Sequence, residues 1–165
     1  MKPLGLLLIF LSASAAGFVR ANGYRETEKE IGSFIKLMYF IKHEISFYLT
    51  PQSEIYGKFS DAPLERNGFL PMLRRFSSDG TEAPLLRAIS ECDTLKCGDE
   101  VMNAIKDFAQ TLGTLSAEEQ CERCDITVNV LNEIYKSKRE EATEKSRLCR
   151  SVGCMAGLGL VLLLW

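Results

Sequence analysis

The chain has little of what most enzymes and sheet proteins are built from. It carries one histidine, one tryptophan and five prolines in 165 residues. A Ser-His-Asp or Cys-His mechanism would have to use His43, which sits beside Glu44 in a proline-free stretch with no nucleophile elbow anywhere in the chain. The expectation for His43 is therefore a solvated helix position. No G-x-x-x-x-G-K-[ST] loop occurs, so nothing points to nucleotide hydrolysis. There is no run of basic residues, and 20 Lys and Arg against 22 Asp and Glu give a net charge of −2. That balance excludes the electrostatic footprint of a nucleic-acid binder. Sustained apolar–polar alternation is missing too, which excludes an extensive half-buried sheet. No internal repeat or low-complexity segment is present.

Charge is also absent from both ends. Residues 3–19 (PLGLLLIFLSASAAGFV) and 151–165 (SVGCMAGLGLVLLLW) hold no charged side chain, and every charge except Lys2 falls between 20 and 150. This argues against a proton or ion pathway made by the chain alone. The first block has two readings. Lys2, an apolar stretch and Ala13-Ser14-Ala15 resemble a secretory signal with a small-residue cleavage site; the alternative is an uncleaved anchor. The tail could be a core helix, an anchoring signal or a span, but it lacks the polar face of a surface helix. At ~1.5 Å per residue the two blocks reach roughly 26 and 23 Å, short of the ~30 Å hydrocarbon core. Arg20 and Arg150 can snorkel, and Trp165 suits an interface, which closes the gap. Gly153/Gly157 in the tail and Ser12/Ala16 and Ala13/Gly17 in the first block are small-x-x-x-small pairs. A two-span hairpin with Ala13 and Gly17 packed on Gly153 and Gly157 is the arrangement they suggest.

Between the blocks the chain reads as helix. From Tyr24 to Leu49 there is no proline, and Ile31, Phe34, Ile35, Met38, Ile45 and Leu49 share one face, with Phe40 and Phe47 pointing away from it. Glu26, Glu28 and Glu30 read as a solvated face. Thr50-Pro51 ends this helix, because the residue before proline is pushed out of the α region. Short helices are expected around 54–59, 64–76 and 84–92, and a longer one over 99–112 stopped by Gly113. Ser116 followed by Glu119 is a capping-box signature for the last helix. Positions 121, 124, 128, 131, 135, 138, 142, 145 and 149 then alternate steps of three and four, a coiled-coil-like seam.

Six cysteines stand at 92, 97, 121, 124, 149 and 154, an even number that would suit a disulfide framework if the chain were exported. Cys121-x-x-Cys124 invites a redox or zinc reading. Both residues lie on the seam, however, and neither Cys92-x4-Cys97 nor Cys149-x4-Cys154 has zinc-finger spacing. Small buried hydrophobes are the expectation for Cys121 and Cys124. Flanking charge sets topology: Arg20, Arg25 and Lys29 on one side, Lys145, Arg147 and Arg150 on the other, all border the middle segment. Positive-inside reasoning places that segment in the cytoplasm, where thiols stay reduced.

Several motifs then fall in a telling order: Gly17-Phe18, Glu44-Ile45-x-Phe47-x-x-Thr50-Pro51, Phe108-Ala109-x-Thr111-Leu112-Gly113, Gln120, and Arg150-Ser151-x-Gly153-x-x-Ala156-Gly157-Leu158. In this order and spacing the chain resembles the stage III sporulation protein AB family of spore-forming Firmicutes over essentially its whole length. It departs at Gln52, where relatives tend to have Leu, and at Ser116, where Asp is usual; both of the latter cap helices well. The resemblance implies a component of the mother-cell complex that joins mother cell and forespore. It also implies a soluble domain similar to that of the type II secretion F-type platform protein. Partners would be the membrane, other proteins of the stage III sporulation A operon, and a cytosolic secretion-type ATPase (stage III sporulation protein AA). The site would be the mother-cell membrane that becomes the outer forespore membrane. Glu44, Thr50, Pro51, Phe108, Leu112, Gly113 and Gln120 carry over as structural motif residues.

The expected architecture is all-α: an N-terminal membrane helix at 1–20, a cytoplasmic bundle of five to six helices at 21–150, and a C-terminal membrane helix at 151–165. No catalytic residue, cofactor, metal, small-molecule substrate or nucleic acid is expected. Two other functions compete: a secreted, disulfide-rich protein with a cleaved signal and an anchored tail, and a thiol oxidoreductase using Cys121 and Cys124. The first needs a polar spacer before the tail, where basic residues 145–150 abut the apolar block directly. The second needs an exposed thiolate of low pKa.

Overall fold

A computed structural model describes residues 23, 25–48, 50 and 52–164, with side chains not described at 52–53, 146, 149–150, 153–154 and from 156 onward. Among the described residues every regular element is helical. Helix α1 covers 25–43 and passes into a π-helical turn at Glu44–Tyr48. Then follow α2 (Gln52–Lys58), α3 (Ala62–Arg66), α4 (Phe69–Ser78), α5 (Pro84–Glu91), α6 (Asp99–Thr111) and α7 (Ala117–Leu164). The chain divides into two compact units, Lys29–Lys136 and a second made of Met1–Glu28 with Ser137–Trp165.

The Lys29–Lys136 unit holds a single apolar core. Ile31, Phe34, Met38, Ile41 and Ile45 recur at steps of three and four along α1 and its π turn, and all are buried, as an amphipathic helix requires. They join Tyr56, Leu64, Phe69, Leu73, Leu85, Ile89, Ile105 and Leu131 in one cluster. Phe34 meets Phe69 edge-on at 5.1 Å between ring centroids. Phe40, expected to point away from the core face, is half-buried against Phe59 at 5.3 Å. Phe47, by contrast, is 73% exposed. Arg74 ties α2, α3 and α4 together by donating to the Tyr56 and Phe59 carbonyl oxygens and to Glu65 Oε1.

Local chemistry explains the boundaries. Pro63 and Pro84 sit in the first turns of α3 and α5, where a missing N–H leaves no bond unmade. The single helix expected over 64–76 is two, and the helix count rises accordingly. Gly68 at φ 81° breaks it, and the Asn67 side chain accepts from the Phe69 N–H at 3.1 Å to start α4. The capping box is present at α7. The Ser116 N–H donates to Glu119 Oε2 at 3.0 Å, and the Glu119 N–H donates to Ser116 Oγ at 3.4 Å, satisfying two of the helix's orphan donors.

Glu30 departs from the sequence expectation. Glu26 is exposed, but Glu30 is only 7% exposed. Its two carboxylate oxygens accept from Asn67 Nδ2 at 3.2 Å and from the Lys96 backbone N–H at 2.7 Å. A buried carboxylate is tolerable when both oxygens are engaged, and this one fastens α1 to the α3–α4 turn and the α5–α6 loop.

The seam of α7 is real as far as Ala142. Cys124, Val128, Leu131 and Ala142 are buried, Cys121, Tyr135 and Lys138 are half-buried, and Lys145 is exposed. In the second unit Glu28 pairs with Arg139 at 3.6 Å, and Glu141 pairs with Lys138 at 3.6 Å and with Lys145. Among the described residues no helix is long and apolar enough to cross a membrane. The anchor expected at 1–20, with Ala13 and Gly17, lies outside the described residues. Gly153 and Gly157 belong to the helical backbone of α7, and the pairing expected of them likewise lies outside what is described.

Candidate docking site

The widened turn at the end of α1 organises one half of the site. Glu44 is buried, and its Oε2 accepts from the Thr50 hydroxyl at 2.7 Å and from Lys58 Nζ at 2.9 Å. The Thr50 N–H reaches back to the Glu44 carbonyl at 3.2 Å. The hydrogen bonds from Lys58 and then Thr50 hold the Glu44 carboxyl below its ordinary range. The network ties the end of α1 to Thr50 and to Lys58 of α2. The Glu44 and Thr50 side chains thus bond to each other, and Lys58 is a partner that no local sequence pattern announces. Pro51 lies outside the described residues.

The α6–α7 turn supplies the other half. Phe108 is buried, and its carbonyl accepts from the Leu112 N–H at 3.2 Å. Gly113 follows at φ 85°, a conformation that only glycine adopts without strain. The side chain of Gln120 straps the turn to α7. Its Oε1 accepts from the Gly113 N–H at 3.3 Å, and its Nε2 donates to the Leu115 carbonyl at 2.7 Å.

The two halves meet around a pocket of about 200 Å³. Ile45, Ile55, Leu112 and Ala117 make its apolar wall, and Thr50, Gly113 and Gln120 complete it. Four of the motif residues singled out from the sequence, Thr50, Leu112, Gly113 and Gln120, therefore converge on one cavity although they come from separate segments. Glu44 stands one hydrogen bond behind it. Ile55 and Ala117 were missed, because a single apolar residue in the first turn of a helix carries no signal of its own.

The thiols lie elsewhere and are subdued. Cys92, Cys97, Cys121 and Cys124 are free. Burial pushes the Cys97 and Cys124 thiols up to about 12, which suppresses the thiolate that a redox or metal role needs. Cys121 contacts the Lys42 carbonyl at 4.0 Å, and Lys42 grips Asp125 through both carboxylate oxygens at 2.6 and 2.7 Å. Among the described residues no three His, Cys, Asp or Glu side chains gather as a metal site would require. His43 is exposed, with its ring 4.8 Å from Phe47 and 5.6 Å from Tyr48.

Comparison with known proteins bears on the whole chain. The profile of the family described as stage III sporulation protein AB matches residues 2–165. Among curated proteins, the stage III sporulation protein AB of Bacillus subtilis (strain 168) is 24% identical over 170 residues, covering 99% of each chain. No solved structure matches.

Proposed function

Because the chain belongs to the stage III sporulation protein AB family, with a role in sporulation, we propose that it is a non-enzymatic platform of the mother-cell-to-forespore complex. In this reading the apolar ends anchor it in the mother-cell membrane, and the Lys29–Lys136 unit faces the cytoplasm. That unit couples a cytosolic secretion-type ATPase, stage III sporulation protein AA, to the membrane subunits. Its all-helical core is consistent with a likeness to the cytoplasmic domain of the type II secretion F-type platform protein. The observation that carries the reading is what the motif residues do. Glu44, Thr50, Gly113 and Gln120 bond to backbone and to one another and so shape a pocket. A binding scaffold needs such a surface, whereas a catalyst needs groups free to act on a substrate.

Topology and coupling are tested separately. Cys92, Cys97 and Cys124 are buried, so the reporter is Asn103→Cys on the exposed side of α6. In intact mother-cell protoplasts a membrane-impermeant thiol reagent should label it only after lysis; labelling before lysis overturns the cytoplasmic placement. The tagged full chain, solubilised in mild detergent, should retain the ATPase on affinity purification. Quantitative loss of the ATPase from a complex that keeps its other membrane subunits would remove the coupling role.

A further inference from the structure

We propose that Asn67 is a deamidation site, and that conversion of its amide to a carboxylate irreversibly opens the joint holding α1 to the α3–α4 turn and the α5–α6 loop. The proposal stands independently of the platform reading.

The chemistry begins with the pair Asn67-Gly68. Glycine has no Cβ to crowd its backbone nitrogen, and asparagine is among the thermolabile residues. The Gly68 nitrogen gives up its proton to solvent and attacks Asn67 Cγ. The new N–Cγ bond closes a cyclic imide, the Cγ–Nδ2 bond breaks, and ammonia leaves with a proton taken from solvent. Water then opens the imide. Cleavage of the N–Cγ bond leaves aspartate at 67. Cleavage between that nitrogen and the main-chain carbonyl carbon leaves isoaspartate, which lengthens the main chain by a methylene. Nothing is oxidised or reduced, and water is the one co-reactant.

The fold restrains each reacting atom. The Gly68 N–H donates to the Glu65 carbonyl at 3.1 Å. Asn67 Nδ2, the leaving group, donates to Glu30 Oε1 at 3.2 Å, and Asn67 Oδ1 accepts from the Phe69 N–H at 3.1 Å. The Asn67 carbonyl accepts from the Thr94 hydroxyl. Imide closure therefore requires the turn to open locally, and its rate follows the population of that open state.

The product cannot rebuild the joint. Glu30 is buried, with Oε2 engaged by the Lys96 N–H at 2.7 Å and Oε1 by Asn67. An aspartate at 67 offers Oε1 no donor and sets a second carboxylate against the first, where exclusion of water strengthens the repulsion. The N-terminus of α4 favours negative charge nearby. Asn67 Oδ1 already serves that end in the native chain, so the gain there is small beside the loss at Glu30.

The test warms the full chain at pH 8, in mild detergent and in concentrated urea. Peptide mapping separates asparagine, aspartate and isoaspartate at 67. The unfolded chain should convert at least about tenfold faster, since the closed turn withholds the attacking nitrogen. Asn67→Asp, made directly, should melt below the parent and below Asn67→Ala, which loses the bond without adding charge. It should also exchange the Lys96 amide hydrogen faster than the parent. Adding Glu30→Gln to Asn67→Asp restores a donor facing the aspartate, while the new amide oxygen still accepts from Lys96, so the midpoint should rise again. The proposal is overturned by equal conversion in the two conditions, by no conversion at 67 in urea, by Asn67→Asp melting at or above Asn67→Ala, or by unchanged exchange at Lys96. Failure of Glu30→Gln to raise the midpoint overturns it too. Where Asn67→Asp does not fold, folding of the double variant supports the charge conflict and its failure to fold counts against it.

Discussion

At the residue scale, identical residue types do opposite things according to backbone and surroundings. Gly32 lies within α1, and a methyl group there would meet only the Tyr135 ring, at 3.7 Å, an ordinary contact. Gly113 holds φ 85°. Gly32→Ala should therefore stabilise the protein by roughly 0.5–1 kcal/mol through helix propensity. Gly113→Ala should destabilise it by about 1–2 kcal/mol through left-handed strain. Urea melts of the two variants check the pair, and a common sign would refute the assignment. Burial likewise sets the behaviour of two of the cysteines. For Cys97 and Cys124 the folded thiol is raised from 9.0 to about 12. The folded state thus holds these protons more tightly than the unfolded state. Their contribution is complete below pH 9 and is lost as pH rises from there toward 12. Iodoacetamide at pH 8 followed by peptide mapping should leave both unmodified in the native protein and modify both in guanidinium. Native labelling of Cys124 at the rate of a free thiol would revive a redox role for the Cys121–Cys124 pair.

At the scale of elements, the joints carry more information than the helices they connect. The capping box was legible because its signal is local: Ser116 and Glu119 are three residues apart and serve one helix end. The seam of α7 was legible because burial follows periodicity, through Cys124, Val128, Leu131 and Ala142. What escaped was long-range. Nothing near Glu30 says that Asn67 and Lys96 will close over it, so a run of alternating glutamates reads as solvated. Nothing near Glu44 says that Lys58 will arrive, or that the helix end will widen into a π turn. The motif residues were found by resemblance, and their gathering around one pocket appears only in three dimensions. The Glu44 joint gives a pH prediction with a definite sign. Its carboxyl is held below the ordinary value of 4.5, chiefly by Lys58 and then by Thr50. The contribution is therefore present above pH 4.5 and is lost as pH falls below it through the depressed value. Glu44→Gln should lower stability at pH 7 and flatten the decline between neutral and acid pH. Denaturant midpoints of parent and variant from pH 7 to 3 measure this; parallel curves would show that Glu44 contributes nothing through its charge.

At the scale of the molecule, the division into two compact units separates the apolar core cluster from the two uncharged apolar ends of the sequence. Among the described residues, every buried member of the apolar core cluster lies between Ile31 and Leu131, inside the Lys29–Lys136 unit. The ends hold the apolar blocks, and the exposed Leu148, Val152 and Met155 stand at i, i+4 and i+7 on α7 in the other unit. A core cluster that lies within one unit gives that unit its own source of stability, since hydrophobic stabilisation scales with the area removed from water. A unit of this size lies above the roughly 70–80 residues below which single cores become marginal. The fragment 29–136 should therefore be soluble and helical on its own and should melt cooperatively. Its enthalpy should follow the general scale of about 0.7 kcal/mol per residue near 60 °C, about 75 kcal/mol for its length. Calorimetry and far-UV circular dichroism of the isolated fragment decide the point. A broad transition with dye binding typical of a molten globule would show that α1 and α7 need their flanking segments to hold the core.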